Sequence, residues 1–243
     1  AMVDNVDQNV GRLVDQLEAQ GELDNTLILF LSDNGACAEI PQVEYVDPTA
    51  PMGTVGSYDS YGESWATVGN TPLRRWKSSS YEGGVRTSLV AHWPAGIKAP
   101  GSWIHEPAHV IDLMPTVLEI GQGTYPGEAV ASAIAPPDGV SLVPAFEGRS
   151  VERAAPLFFQ FNKGAAVRDG DWKLVRLGPE WELYDMATDQ TETRNLAAEQ
   201  PERVQSMIGA WETWWRDCRG EDYVFGMRYS VDVTTPLAAE RNR

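Results

Sequence analysis

Basic residues are scarce in this chain, and their scarcity argues against nucleic acid as a partner. The 243 residues include 19 Lys and Arg against 35 Asp and Glu, which gives a formal net charge of −16. Because a phosphate backbone is bound mainly through Lys and Arg, a surface this acidic would repel it. Long apolar runs are missing as well. No stretch approaches the roughly twenty residues that a bilayer-spanning helix needs, so no membrane span is predicted.

Cysteine is also rare, and the two cysteines present leave the cellular compartment open. Cys37 and Cys218 lie far apart in the sequence and neither demand nor exclude a disulfide. Between the compartments, we favour a bacterial periplasmic or secreted location over the cytoplasm. Apolar residues make up 42% of the chain and nine residues are Trp. This composition is typical of a folded globular protein and excludes a disordered chain.

The most informative segment runs from Leu27 to Gly35. Its unbroken apolar run at 27–31 predicts a strand buried on both faces of a mostly parallel sheet. Asp33 and Asn34 follow where that strand would end, and open α/β sheets bind ligands beyond the carboxyl ends of their strands. Two adjacent oxygen donors suit calcium or magnesium. The alternative is an ordinary turn, because Asn and Gly both tolerate positive φ.

A basic segment interrupts the acidic chain between residues 70 and 86. It holds four cations against the single anion Glu82, whereas residues 36–68 carry five carboxylates and no Lys or Arg. Positive charge concentrated in this way would attract a small oxyanion. An ordinary solvated loop with a bend at its Gly pair is the alternative. The four cations are Arg74, Arg75, Lys77 and Arg86.

In order and spacing, these segments resemble motifs of the sulfatases of the alkaline phosphatase superfamily, in particular the arylsulfatases. Ser-Asp-Asn-Gly at 32–35 resembles the family's second metal-binding motif. Lys-x-x-x-Tyr-Glu-Gly-Gly-x-Arg at 77–86 resembles its late lysine motif. Similar segments follow at 93–96, 112–118, 167–174 and 181–185. The resemblance therefore covers nearly all of the chain up to residue 218.

The resemblance implies that Asp33 and Asn34 are calcium ligands and that Lys77 is a catalytic residue that contacts the sulfate group of the substrate. Related phosphatases and phosphonate hydrolases usually show Asp-His at the equivalent place and use softer metals, whereas an all-oxygen pair suits calcium. Magnesium is the less favoured cofactor. A cleaving sulfate ester gathers negative charge, which a divalent cation and an ammonium group both stabilise. The implied substrate is a small sulfate ester or a sulfated sugar.

The fold that the resemblance implies is α/β, with part of a mostly parallel central sheet flanked by helices and a small C-terminal antiparallel sheet packed with a long helix. Residues 1–124 would form the C-terminal part of the catalytic α/β domain. Residues 125–150, rich in Ala, Pro and Gly, read as a linker, and 151–243 as the small subdomain with its helix and tail.

Periodicity predicts several elements directly. Valines and leucines at helical spacing over 3–17 predict a packing helix that Gly21 ends. Short runs between 157 and 184, divided by turn residues, predict an antiparallel meander. Residues 200–218 predict a helix with a broad Trp-rich face, which packs against that sheet or, as the less favoured alternative, binds carbohydrate or a partner.

Some residues carry two interpretations each. His105 and His109 lie next to the start of a helix predicted at about 110–120. They could donate a proton to a leaving group, but we favour the interpretation that they are surface histidines or cap the helix. The long loop predicted for 36–68 carries three aromatic side chains that stack on a leaving group or anchor the loop to the core. These are Tyr58, Tyr61 and Trp65.

The departures from the family pattern concern the nucleophile. Sulfatases carry Cys or Ser in a C/S-x-P/A-x-R motif that is converted to formylglycine, and neither Cys37, Cys218 nor any serine here stands in that context. The early Asp pair of the metal site and the proton-handling His motifs are missing too. We therefore expect the later half of a sulfatase, inactive without a partner N-terminal half that bears the formylglycine.

Two other functions remain open at this point. A phosphonate or phosphodiester hydrolase of the same superfamily is the main enzymatic rival, because sulfate and phosphate esters are tetrahedral oxyanions of similar size. A phosphate monoester dianion would call for more positive charge than a sulfate monoanion, which favours the sulfate. The second alternative is a non-catalytic fragment that binds an anion or a partner.

Overall fold

The computed structural model describes residues 2–39, 47, 49–57, 60, 62–125 and 136–225. It has the mixed α/β architecture that the sequence predicts. Two short 3-10 helices lie at Leu23–Asn25 and Val110–Asp112. The remaining elements, in chain order, are α1 (Met2–Gln20), β1 (Ile28–Leu31), α2 (Gly62–Asn70), α3 (Glu82–Val85), β2 (Leu89–His92), α4 (Leu113–Ile120), α5 (Val143–Phe146), β3 (Leu157–Phe161), β4 (Gly164–Asp169), β5 (Trp172–Arg176), β6 (Glu182–Asp185) and α6 (Pro201–Arg219).

The chain divides into two compact units, each made of two sequence segments. One unit combines Ala1–Leu31 with Ser88–Ala154, and the other combines Ser32–Thr87 with Ala155–Arg243. The first boundary falls directly after β1, so the candidate site residues belong to the second unit. None of the helices in the described part of the chain is long and apolar enough to cross a membrane.

In the first unit, β1 and β2 form a two-stranded antiparallel sheet, with Ile28 opposite His92 and Leu31 opposite Leu89. The apolar run had predicted a strand buried on both faces of a mostly parallel sheet. Among the described residues the pair is antiparallel, and one face is open because the facing residues Phe30 and Val90 are both exposed.

Helix α1 ends where the sequence predicts, with Gly21 in the left-handed region at φ 72°. Its apolar residues recur on one face, but none of its side chains is buried by the described part of the chain. The periodicity therefore predicted the helix correctly, while the packing expected for its apolar face is absent from this part. The most exposed members of that face are Met2, Val3, Val6 and Leu13.

A buried aspartate organises the region around α4. Asp112 is fully buried; it accepts hydrogen bonds from the backbone N–H groups of His109 and Val140 and pairs with Arg153. The backbone N–H of Ile111 donates to the His109 ring, so this histidine caps the 3-10 helix as favoured from sequence. Residues around Val140, in the segment that composition marked as a linker, are thus tied to the start of α4.

The second unit contains the predicted meander, with strand order β3-β4-β5-β6 and every neighbouring pair antiparallel. Helix α6 packs its tryptophan face against this sheet, and the Trp211 indole N–H donates to the Phe159 carbonyl at 3.1 Å. Burying each large apolar side chain of this kind stabilises the fold by about 1.5–3 kcal/mol. The shared core consists of Ala165, Val167, Leu174, Leu183, Val204, Met207, Trp211 and Trp215.

Candidate functional site

The loop that follows β1 and the basic loop are joined by backbone hydrogen bonds. The N–H of Gly35 donates to the carbonyl of Gly84 at 3.0 Å, and the N–H of Lys77 donates to the carbonyl of Ala36, also at 3.0 Å. The first loop carries Asp33 and Asn34, and the second carries Lys77. Although more than forty residues separate them in sequence, the two predicted parts of the site are held side by side.

The carboxamide of Asn70 fixes both loops in this arrangement. Its oxygen accepts from the N–H of Ala36 at 3.0 Å, while its NH₂ group donates to the carbonyls of Arg75 at 3.0 Å and Gly83 at 2.8 Å. One side chain at the end of α2 thus forms hydrogen bonds with three backbone groups, one in the first loop and two in the second. No motif had singled out Asn70 for this role.

Glycine at position 35 permits the close approach of the two loops. A Cβ atom built on Gly35 would lie 1.8 Å from the carbonyl oxygen of Gly83, far inside contact distance. Gly83 is itself confined, because its own Cβ would lie 2.1 Å from the carbonyl oxygen of Arg75. Gly35 and Gly83 are therefore required by packing, because a side chain at either position would overlap a backbone carbonyl.

Asp33 and Asn34 lie in the loop directly after β1. Asp33 is exposed and Asn34 is half-buried. The loop is held locally, since the Ser32 hydroxyl donates to the carbonyl of Asn34 and the Thr87 hydroxyl donates to the carbonyl of Ser32. These two side chains fit part of a calcium coordination shell, which takes six to eight oxygens. Within the described residues, no three His, Cys, Asp or Glu side chains converge on a metal position.

The Lys77 ammonium lies in a mostly acidic environment. Its Nζ atom is 3.1 Å from Glu39 Oε2 and 3.9 Å from Cys37 Sγ. The hydrogen bond with Glu39 raises the pKa of Lys77, with smaller contributions from Cys37 and Asp33. Lys77 therefore stays charged at neutral pH, and Asp33 is near enough to contribute to its electrostatic environment. Neither Glu39 nor Cys37 was expected at this position.

Two of the other three cations of the basic segment have structural partners. Arg74 donates to Glu182 at 2.7 Å and lies 4.2 Å from the centre of the Tyr81 ring. Arg86 donates to Gln190 at 3.0 Å. The sequence suggested that the four cations form a cluster that attracts a small oxyanion. These contacts direct Arg74 and Arg86 toward the small sheet and the loop after it instead, because tertiary partners from residues 182–190 are available there.

The Glu182 carboxylate accepts hydrogen bonds from Arg74, Tyr81 and Tyr184. Burial by itself would raise the pKa of Glu182, but these bonds outweigh burial and lower it. Burial, followed by the hydrogen bond to Glu182, raises the pKa of Tyr81. Both groups thus keep their ordinary charge, and they anchor the basic loop to β6.

A buried ion cluster attaches α3 to strand β5 of the antiparallel sheet. The Lys173 ammonium, on β5, lies 2.7 Å from a carboxylate oxygen of Glu82 and 2.7 Å from one of Glu192. Glu192 also accepts a hydrogen bond from the backbone N–H of Glu82 at 2.8 Å. Burial raises the pKa of Glu192, although Lys173 acts in the opposite direction. This cluster is a second feature that the motifs did not reveal.

The loop aromatics are only partly described. Trp65 is 65% exposed and lies on helix α2, which replaces the end of the long loop predicted for residues 36–68. Tyr58 and Tyr61 lie outside the described residues. Any role of these side chains toward a leaving group therefore stays a prediction.

The Sulfatase family profile matches residues 1–123. An uncharacterised sulfatase of Schizosaccharomyces pombe is 32% identical over 230 residues, a match that covers 87% of this chain and 41% of the relative. The arylsulfatase of Klebsiella aerogenes is 34% identical over 155 residues, covering 58% of this chain and 32% of that protein. The chain thus spans less than half the length of these curated relatives.

Solved structures show the same fold. Ps i-CgsB superposes with a TM-score of 0.67 at 26% identity, over 88% of this chain and 41% of that one, and has also been solved with k-i-k-neocarrahexaose bound. A protein solved in complex with its substrate, D-glucosamine-2-N,6-O-disulfate, superposes with a TM-score of 0.60 at 25% identity. That match covers 88% of this chain and 39% of the other.

Proposed function

Because the chain belongs to the sulfatase family, we propose that it supplies part of the active site of a calcium-dependent sulfuric ester hydrolase. In this proposal Asp33 and Asn34 are metal ligands, and Lys77 is the catalytic residue that contacts the sulfate group. The observation that carries the proposal is the pair of backbone hydrogen bonds at Gly35 and Lys77, which holds the ligand pair and the ammonium group in adjacent loops.

The chemistry of these side chains suits the reaction. Calcium, when bound, would act as a Lewis acid toward the sulfate oxygens. Lys77 is protonated over a wide pH range because its pKa is raised, and its ammonium group would donate to sulfuryl oxygens as they gain charge. A donor that acts in the transition state accelerates a reaction by about a hundredfold or more. We expect Lys77→Ala to cost an active enzyme about that factor in kcat.

The nucleophile is proposed to lie outside this chain. The sequence contains no Cys or Ser in the C/S-x-P/A-x-R context, so we expect a formylglycine on an N-terminal half that acts as the partner. By itself the chain should bind calcium and sulfate esters without turnover. We place the complete enzyme in a periplasmic or secreted location.

The substrate class follows from the charge and from similar proteins. A monoanionic sulfate ester suits a site with one ammonium group and one divalent cation. The structural neighbour with a bound glucosamine disulfate and the one with a bound neocarrahexaose support a carbohydrate sulfate ester. The similarity to an arylsulfatase keeps small sulfate esters within the proposal.

Binding measurements on the chain test this function. Calorimetric titration with Ca²⁺ should show that Asp33→Ala and Asn34→Ala each weaken binding by about tenfold or more, as loss of one charged or oxygen ligand should. Lys77→Ala should leave Ca²⁺ affinity nearly unchanged but remove binding of methyl sulfate. Lys98→Ala, the same change in the first unit, is the control. Calcium affinity that survives both ligand substitutions would exclude the metal assignment.

A further inference from the structure

The carboxylate of Glu39 occupies the donors that an oxyanion would use. Its Oε2 atom lies 3.1 Å from the Lys77 ammonium, and its Oε1 atom accepts from the Ser78 hydroxyl at 2.9 Å. A sulfate or phosphate group offers the same kind of anionic oxygens to the same two donors. Glu39 therefore lies beside the position at which a bound oxyanion would contact Lys77.

The contact between Glu39 and Lys77 is open to solvent, and it keeps Glu39 negatively charged. The side chains of Glu39 and Lys77 are 56% and 37% exposed, so a dissolved anion can reach them. Hydrogen bonds from Lys77 and then Ser78 lower the pKa of Glu39, which keeps the carboxylate ionised at neutral pH. One full negative charge thus remains beside the single ammonium group of the site.

We propose that Glu39 is a specificity-determining residue that makes the site select singly charged oxyanions over doubly charged ones. This inference rests on the proposed function, in which Lys77 contacts the sulfate group. Repulsion from a fixed carboxylate grows in proportion to the charge of the ligand, so a dianion is disfavoured twice as strongly as a monoanion of the same shape.

The test compares two probes of equal shape in the Ca²⁺-loaded chain. Methyl sulfate is a monoanion, whereas methyl phosphate is a dianion at about pH 8, well above its second pKa of about 6. Binding is followed through the NMR signals of the Lys77 side chain, which are simple to assign because the chain has four lysines. Ionic strength is held constant, since exposed charges are screened by salt.

Removal of the carboxylate should change the ratio of the two affinities. Glu39→Gln should strengthen methyl sulfate binding by about threefold and methyl phosphate binding by about tenfold, because the lost repulsion counts once for the first and twice for the second. The wild-type preference for the sulfate ester should therefore fall by about threefold. Glu18→Gln, which removes an equal charge from α1, should leave the ratio unchanged.

The outcomes separate this inference from the function on which it rests. If methyl sulfate perturbs Lys77 in both proteins but the ratio stays constant, or if Glu18→Gln changes it equally, the role of Glu39 is refuted and the site assignment stands. If neither probe perturbs Lys77 in either protein, the sulfate contact itself is refuted and the inference falls with it.

Discussion

At the scale of single residues, the geometry of the site depends on the Asn70 carboxamide. The substitution Asn70→Asp keeps the acceptor for the N–H of Ala36 but removes both donated hydrogen bonds and turns a carboxylate toward the carbonyls of Arg75 and Gly83. Losing two bonds with partly buried partners should lower the free energy of unfolding by about 2–4 kcal/mol. Urea denaturation measures this, and calcium affinity should fall in parallel.

Asn195 provides a matched control for that substitution. Its side-chain oxygen accepts from the N–H groups of Leu183 and Ala197, so that Asn195→Asp preserves both contacts. The control should therefore change the free energy of unfolding by less than about 1 kcal/mol. Equal losses for the two variants would mean that donation by Asn70 does not hold the loops.

The raised pKa of Glu192 gives a pH dependence with a definite sign. Burial lifts it above its ordinary value of 4.5, so between that value and the folded pKa the folded state binds more protons than the unfolded chain. Stability therefore falls as pH rises through this window and is constant above it. The difference in unfolding free energy between wild type and Glu192→Gln should fall with rising pH. A difference that rises with pH would contradict the assignment.

Sequence reasoning could find residues that belong to short motifs but not the residues that hold them. Asp33, Asn34 and Lys77 were assigned through the resemblance of their short motifs to those of sulfatases, and the structure places the two loops that carry them in contact. Asn70, Glu39 and Lys173 each act in part through a contact with a residue 34 to 91 positions away. A single sequence gives no signal for such pairings, because any of many Asn, Glu or Lys side chains satisfies the same chemistry.

At the scale of secondary structure elements, glycine serves opposite purposes in the site loop and in α6. A Cβ at Gly35 would overlap the Gly83 carbonyl, whereas a Cβ at Gly209 meets nothing within 4 Å. Gly35→Ala should thus destabilise the chain by about 2–3 kcal/mol through overpacking. Gly209→Ala should stabilise it by about 0.5–1 kcal/mol, since glycine is unfavourable inside a helix. Thermal unfolding of both variants measures these shifts.

The reverse order of stability would contradict the described packing of both elements. It would mean that the loop after β1 has room beside Gly83, or that the Gly209 face of α6 is already in contact. Gly11→Ala offers a further comparison in α1, where a Cβ also meets nothing within 4 Å. It should stabilise that helix by a similar amount of about 0.5–1 kcal/mol.

Elements with a clear period were predicted well, and elements without one were not. The meander and α6 were predicted because the sequence shows short strand-like runs and an apolar helical face. The apolar residues of both elements form one core, as their periodicity predicts. Helix α2 was missed, since its sequence, Gly-Glu-Ser-Trp-Ala-Thr-Val-Gly-Asn, buries only Ala66 and shows no extended apolar face. Its main contribution is the position of Asn70 at its C-terminal end.

At the scale of the whole molecule, the negative net charge affects anion binding, and the exposed apolar surface affects packing. The net charge of −16 attracts cations and repels anions, so an anion site needs local positive charge. Lys77 supplies that charge, and a bound divalent cation would add to it. The apolar face of α1 and the open face of β1 and β2 are exposed within the described residues, the kind of surface that other protein segments usually cover.

The central claim is that Asp33, Asn34 and Lys77 form one site, and a paramagnetic metal tests it most directly. Gd³⁺, a hard cation that takes the same oxygen ligands as calcium, replaces Ca²⁺ while the lysine side-chain signals are recorded against a diamagnetic La³⁺ reference. Gd³⁺ should broaden the Lys77 signals, and Asp33→Ala should abolish the broadening. Binding at Asp33 that leaves Lys77 sharp, or broadening that survives Asp33→Ala, would contradict the account.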